Sequence, residues 1–270
     1  MTQQAPSSSQ PLTRDTVLAG LKSLGTATFL QAIGAVLVVI AAVALLAVLP
    51  FYGPASPAIA VVGMAQSVAA GLSWFIVAVI FITIINYSYL LPSATQLTMW
   101  KPAELSESSR LMKIGYLAGS ILVLIALFVI TIINAINDPD IIEDYKLRED
   151  LAKGLIWPII VGVVGSAFFF VGWIGICVFL HELRELFDTP VLSKLGILVL
   201  VYGLVFVILK ASLLIAYYGY TVAGSSIIFA LQPTLLLALL IAILGTVTWT
   251  LIYTETASLR KKILSGTLQV

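Results

Sequence analysis

Apolar residues fill six long stretches of the chain: 27–49, 68–91, 114–136, 156–180, 195–217 and 235–253. A hydrocarbon core about 30 Å thick needs roughly 20 apolar residues in a helix, and each stretch is of that order. Five of the six carry no formal charge, and the one spanning 195–217 holds a single Lys210. The pattern predicts an all-α integral membrane protein, a bundle of six transmembrane helices.

The polar segments divide the rest. Residues 1–11, MTQQAPSSSQP, are uncharged and rich in Pro and Ser, a composition expected to form a disordered tail. They lack the basic start of a signal peptide, and the apolar stretch that follows is too long for a signal core, so it is expected to be retained as the first span. Residues 12–25 place Val17, Leu18, Leu21 and Leu24 on one helical face and Arg14, Asp15 and Lys22 elsewhere. That spacing suits an amphipathic helix lying at the interface. The membrane domain is expected over 26–254, followed by a tail over 255–270.

The third connection is acidic. It holds Asp138, Asp140, Glu143, Asp144, Glu149 and Asp150 against Lys146, Arg148 and Lys153. Asp140 and Glu143 have the spacing of a capping box. Asp144 with Arg148, and Glu149 with Lys153, are i,i+4 pairs that support a helix. A short helix over about 140–153 is expected to lead into the fourth span. It reads as a solvated, self-paired face or as a docking surface.

Basic residues orient the bundle. Ten of them lie in the N-terminal segment, the second and fourth connections and the C-terminal tail, and three lie in the third connection. Short loops rich in Lys and Arg stay in the cytoplasm. Both termini are therefore expected there, in a multi-pass protein of the cell membrane. Tyr52, Trp74, Trp157, Tyr217, Tyr218 and Tyr220 fall near the outer boundary, and Tyr87, Tyr89, Trp100, Tyr116, Trp249 and Tyr253 near the inner one. Amphipathic rings favour both levels.

Composition narrows the partners. Hydrophobic residues make up 60% of the chain and charged residues 10%, with mean hydropathy +1.10. So little charge cannot clothe a soluble surface. A net charge of +1 offers no basic stripe for nucleic acid. The expected partners are the lipid bilayer and other membrane subunits or further copies of the chain. The single Cys177 leaves no intrachain disulfide.

Candidate chemistry is sparse. Lys210 is the costliest residue in any span, and such groups mark functional sites or snorkel to the interface. Asn86 and Asn134, with Gln31 and Gln66 behind them, are candidates for a pathway or for interhelical hydrogen bonds. His181 and Glu185 sit i,i+4 like half of a zincin motif, but His181 is the only histidine and a catalytic zinc takes three protein ligands. No metal, cofactor or catalytic residue is expected. The chain has no phosphate loop, CxxC or nucleophile elbow, so no enzyme is expected either.

Small residues mark seams. Gly115-Tyr-Leu-Ala-Gly119 is a GxxxG, Gly162, Gly165, Gly172 and Gly175 follow the fourth span, and Ser212 with Ala216 repeats the spacing on the fifth. Such positions let helix backbones approach, within one chain or between copies. Lys22-Ser-Leu-Gly25, Lys113-Ile-Gly115 and Lys194-Leu-Gly196 each open an odd-numbered span. Their spacing would fit three tandem helical hairpins, since internal repeats are common in transporters.

Ala19-Gly-Leu-Lys-Ser-Leu-Gly25, running directly into the Gly/Ala/Val/Ile-rich first span, resembles the opening of uncharacterised archaeal multi-pass membrane proteins grouped as a domain-of-unknown-function family. The resemblance implies an archaeal cytoplasmic membrane and assigns no activity or functional residue. The function expected from the sequence is that of a non-catalytic accessory or scaffold subunit of a membrane complex. The alternative is a small channel or transporter for an ion or small solute.

Overall fold

The architecture comes from a computed structural model that describes residues 10–48, 77, 80–136, 145–223 and 228–270. Its helices are α1 (Gln10–Val48), α2 (Leu91–Trp100), α3 (Pro102–Ile136), α4 (Tyr145–Phe187), α5 (Pro190–Ala223) and α6 (Ile228–Leu264). A π-helical turn, Asn86–Leu90, leads into α2. Five helices are long and apolar enough to cross a bilayer: α1 and α3 to α6. Most of the second apolar stretch, 68–91, lies outside the described residues, so the described spans number five where the hydropathy predicts six.

Each helix packs on its neighbours in chain order, and α6 packs back on α1, which closes the six into a ring. Gly34 faces Phe81, Gln31 bonds Asn86, Ser23 bonds Tyr89 and Gly20 faces Leu97. As the α1 number falls, the partner's number rises, so the stretch from Phe81 through α2 runs antiparallel to α1. Arg14 near the start of α1 donates to the carbonyls of Ile263 (2.9 Å) and Leu264 (3.3 Å) at the end of α6. That bond caps carbonyls that have no intrahelical donor. It also places the start of α1 and the end of α6 at one end of the bundle, called the terminal end below.

Residues 12–25 run without a break into the first span, making α1 a single helix of 39 residues, about 58 Å by helical rise. Val17, Leu21 and Leu24 are buried, where α1 packs on α2 and α6. At the other terminus, helix α6 continues to Leu264 and ends at Gly266, whose φ of 75° suits glycine. The chain then turns back, and Leu268 and Val270 pack against the core.

Between α4 and α5 the reversal is tight. Asp188 adopts φ 50° and the Thr189 N–H reaches the Arg184 carbonyl at 3.2 Å. This is a Schellman-type end with aspartate in the place that glycine usually fills. Pro190 then opens α5 at a position where its missing N–H costs nothing. In the sequence, Thr189-Pro190 already marks a helix stop, since proline disfavours helix at the residue before it, and α4 ends just ahead of it.

The acidic third connection is described only in part. Residues 137–144 lie outside the described residues, and from Tyr145 the chain is already helix α4. Asp150 is exposed and pairs with Lys153 at 3.9 Å.

Candidate functional site

The centre of the ring is built from aromatic rings. Trp173 on α4 lies within 6.4 Å, centroid to centroid, of Tyr116 on α3, Tyr202 and Phe206 on α5 and Trp249 on α6. Several pairs cross edge-to-face, at 71° with Tyr116 and 84° with Tyr202, the arrangement that ring quadrupoles favour. The Trp249 and Tyr202 rings also cross edge-to-face, 6.0 Å apart at 82°. Tyr116 and Trp249, which by position suit the inner aromatic belt, are instead buried in the bundle. Trp157, by contrast, is 73% exposed, as a belt residue would be.

Glycine makes room for this centre. A Cβ at Gly203 would fall 2.5 Å from the Trp173 ring, and one at Gly245 would fall 2.7 Å from the Tyr202 ring. The seam between α3 and α4 is closer still. A Cβ at Gly115 would collide with the backbone of Gly172, 2.5 Å from its Cα, and with the Phe168 carbonyl. At Gly119 it would meet the Phe169 nitrogen at 2.9 Å, at Gly165 the Val123 nitrogen at 2.9 Å, and at Gly175 the Met112 nitrogen at 2.6 Å. The GxxxG and its counterparts therefore form one interhelical seam, packed backbone to backbone. The three Lys/Gly helix starts are not equivalent: Gly25 faces α6, whereas Gly115 and Gly196 both face α4.

A second polar feature joins α1 to the π turn. Gln31 Nε2 donates to Asn86 Oδ1 at 2.9 Å, with both residues buried. Pro92 explains the irregular backbone. Its ring would clash with the carbonyl four residues earlier, at Ser88, and it has no N–H to offer there. The chain widens by one residue, so Ile85 and Leu90, five apart, are both buried, and the Leu91 N–H reaches the Asn86 carbonyl. Ser23 on α1 donates to the Tyr89 carbonyl at 2.8 Å.

Near the terminal end, Ser108 on α3 donates to Glu182 on α4. His181 pairs with Ser193 across the α4–α5 turn at 3.1 Å and lies 3.8 Å from Glu185. Among the described residues no three of His, Cys, Asp and Glu converge as metal ligands. A groove of about 380 Å³ opens between α1 and α6, lined by Phe29, Ile33, Leu37, Thr246, Thr250 and Tyr253 among others. The Thr246 hydroxyl turns back on its own helix, to the Ala242 carbonyl, which leaves the groove apolar.

Of the residues singled out in the sequence, the structure brings Gln31 and Asn86 together. Lys210 lies on α5, Asn134 near the end of α3 and Glu149 in the first turns of α4, but their side chains are outside the described residues, as are Gln66, Asp138, Asp140, Glu143 and Asp144 altogether. Sequence reasoning did not pair Ser108 with Glu182, or place Trp173 and Tyr202 at the centre. The signal for the second was present: Gly203 and Gly245 are small residues that leave room for a large ring on the facing helix. Set against known protein families, curated proteins and solved structures, the chain matches none of them.

Proposed function

We propose that this polytopic membrane protein is a non-catalytic accessory or scaffold subunit of a membrane complex. The observation that carries the reading is the filled centre. Trp173 and its neighbours occupy the place where a conducting bundle would keep a polar path, and their burial favours a rigid packed body. Lipid-facing surface remains on several helices, through residues such as Leu37, Phe128 and Ile197. It can be covered by lipid, by other subunits or by copies of this chain.

The reading includes six spans, with both termini in the cytoplasm. Support comes from the bias of basic residues, from the antiparallel approach of α1 and the π turn, and from Arg14 tying α1 to the end of α6. Its N-terminal likeness to uncharacterised archaeal membrane proteins agrees with a cytoplasmic membrane. The acidic segment 138–150 serves as the docking surface in this reading. Gentle extraction from native membranes, native-gel separation and mass spectrometry of the band test it. Stoichiometric co-migration with other subunits is expected; a lone monomer would contradict it.

A second reading, a small channel or carrier, is favoured by the buried Gln31–Asn86 pair beside irregular backbone. Flux through proteoliposomes, altered by Lys210→Ala, would support that reading over the first.

A further inference from the structure

Several buried hydroxyls in this bundle bond their own helix. Thr28 bonds the Leu24 carbonyl, Ser166 that of Gly162, Thr248 that of Leu244 and Thr256 that of Ile252, each four residues back on its own helix. The Asn86 carboxamide takes no such outlet. Asn86 is 1% exposed, its oxygen is taken by Gln31, and its Nδ2 has no hydrogen-bond partner among the described residues.

Other buried polar atoms also stand unpaired, including the Tyr116 hydroxyl and Trp173 Nε1. A hydroxyl can rotate, and an indole N–H among aromatic faces can point at a ring. Asn86 has neither freedom, because the bond from Gln31 fixes the plane of its amide. An unpaired buried donor keeps its full desolvation penalty in a protein interior. The π turn that carries Asn86 is irregular backbone, and π turns inside helices recur at functional sites.

We propose that Asn86 Nδ2 and the π turn Asn86–Leu90 form an internal binding site for a small neutral hydrogen-bond acceptor. The acceptor is the oxygen of a water molecule or of a small carbonyl solute. A neutral guest follows from the chemistry, since the two buried carboxamides bring no charge to offset that of an ion. The site stands independently of the accessory-subunit reading, since a scaffold can hold an ordered guest as readily as a carrier can.

The chain contains three asparagines, Asn86, Asn134 and Asn137, which makes the test direct. Selective ¹⁵N-asparagine labelling of the full chain in nanodiscs gives three side-chain amide pairs, and Asn86→Leu identifies the pair of interest. Direct cross-relaxation is then measured from those protons to water, and separately to added formamide. A cross-peak to water assigns the site to solvent, and one that appears only with formamide assigns it to a carbonyl solute. Absence of both overturns the proposal. Pro92→Ala restores a donor for the Ser88 carbonyl and should remove the signal; an unchanged cross-peak would overturn the role given to the π turn.

Discussion

At Gly115 the missing side chain is what lets two helices touch. Gly115→Ala would drive a methyl group into the α4 backbone at Gly172, and backbone cannot swing aside as a long side chain can. The expected loss is at the upper end of the roughly 1–3 kcal/mol typical of overpacking, read as a lowered thermal midpoint in detergent. Gly154, also on α4, is the control: a Cβ there meets nothing within 4 Å. Gly154→Ala should hold or raise the midpoint, because alanine in a helix interior gains about 0.5–1 kcal/mol over glycine. The seam was legible in the sequence because small residues at i,i+4 have one common use inside a membrane helix. Tyr116 and Trp249 were harder to place, because an aromatic ring near a span boundary suits a belt and a packed centre equally. Gln31 and Asn86 were each visible as polar residues in apolar surroundings. Their partnership was not, since 55 residues separate them.

Helix boundaries were readable where a residue forces them. Pro190 and the reversal before it could be placed from sequence alone. The widening ahead of Pro92 could not, since proline in a membrane helix can be met by a kink, a break or a π turn, and the neighbouring helix decides which. Here Ser23 supplies the donor that suits the π turn. Residues 12–25 show the same dependence on context. Their amphipathic pattern fits a helix on the membrane surface, yet their apolar face also fits α2 and α6, and in the structure it is buried between them. Asp188 offers a test at this scale. It holds φ 50° with a side chain attached, a conformation costing about 1–2 kcal/mol for residues with a Cβ. Asp188→Gly is expected to raise the thermal midpoint while leaving the α4–α5 turn in place. A lowered midpoint would mean that the aspartate side chain contributes more than its backbone costs.

For the molecule as a whole, hydropathy made the membrane class plain and left the arrangement of the helices open. Apolar spans look alike to the bilayer, so ring order depends on the rare residues that differ: the glycines and the large aromatics they receive. Trp173 is the clearest case, touching rings from three other helices. Trp173→Ala should cost about 3–5 kcal/mol, as for other large buried aromatics. Trp157→Ala, at an exposed position, should leave the midpoint close to that of the parent chain. Comparable losses at both sites would place Trp173 at a lipid face and contradict the filled centre.

Closure of the ring, where α6 returns to α1, is the contact that defines this arrangement of helices. In a background with Cys177→Ser, the pair Gly25→Cys and Thr256→Cys would set two thiols across that seam, where a Cβ at Gly25 lies 3.8 Å from Thr256 Cγ2. That contact sets the two positions side by side on α1 and α6, the juxtaposition that a disulfide across the seam requires. Mild oxidation in native membranes, followed by digestion and mass spectrometry of the linked peptides, is the direct measurement. A near-complete intrachain disulfide is expected. Two free thiols after oxidation, or linkage only between separate chains, would contradict the ring.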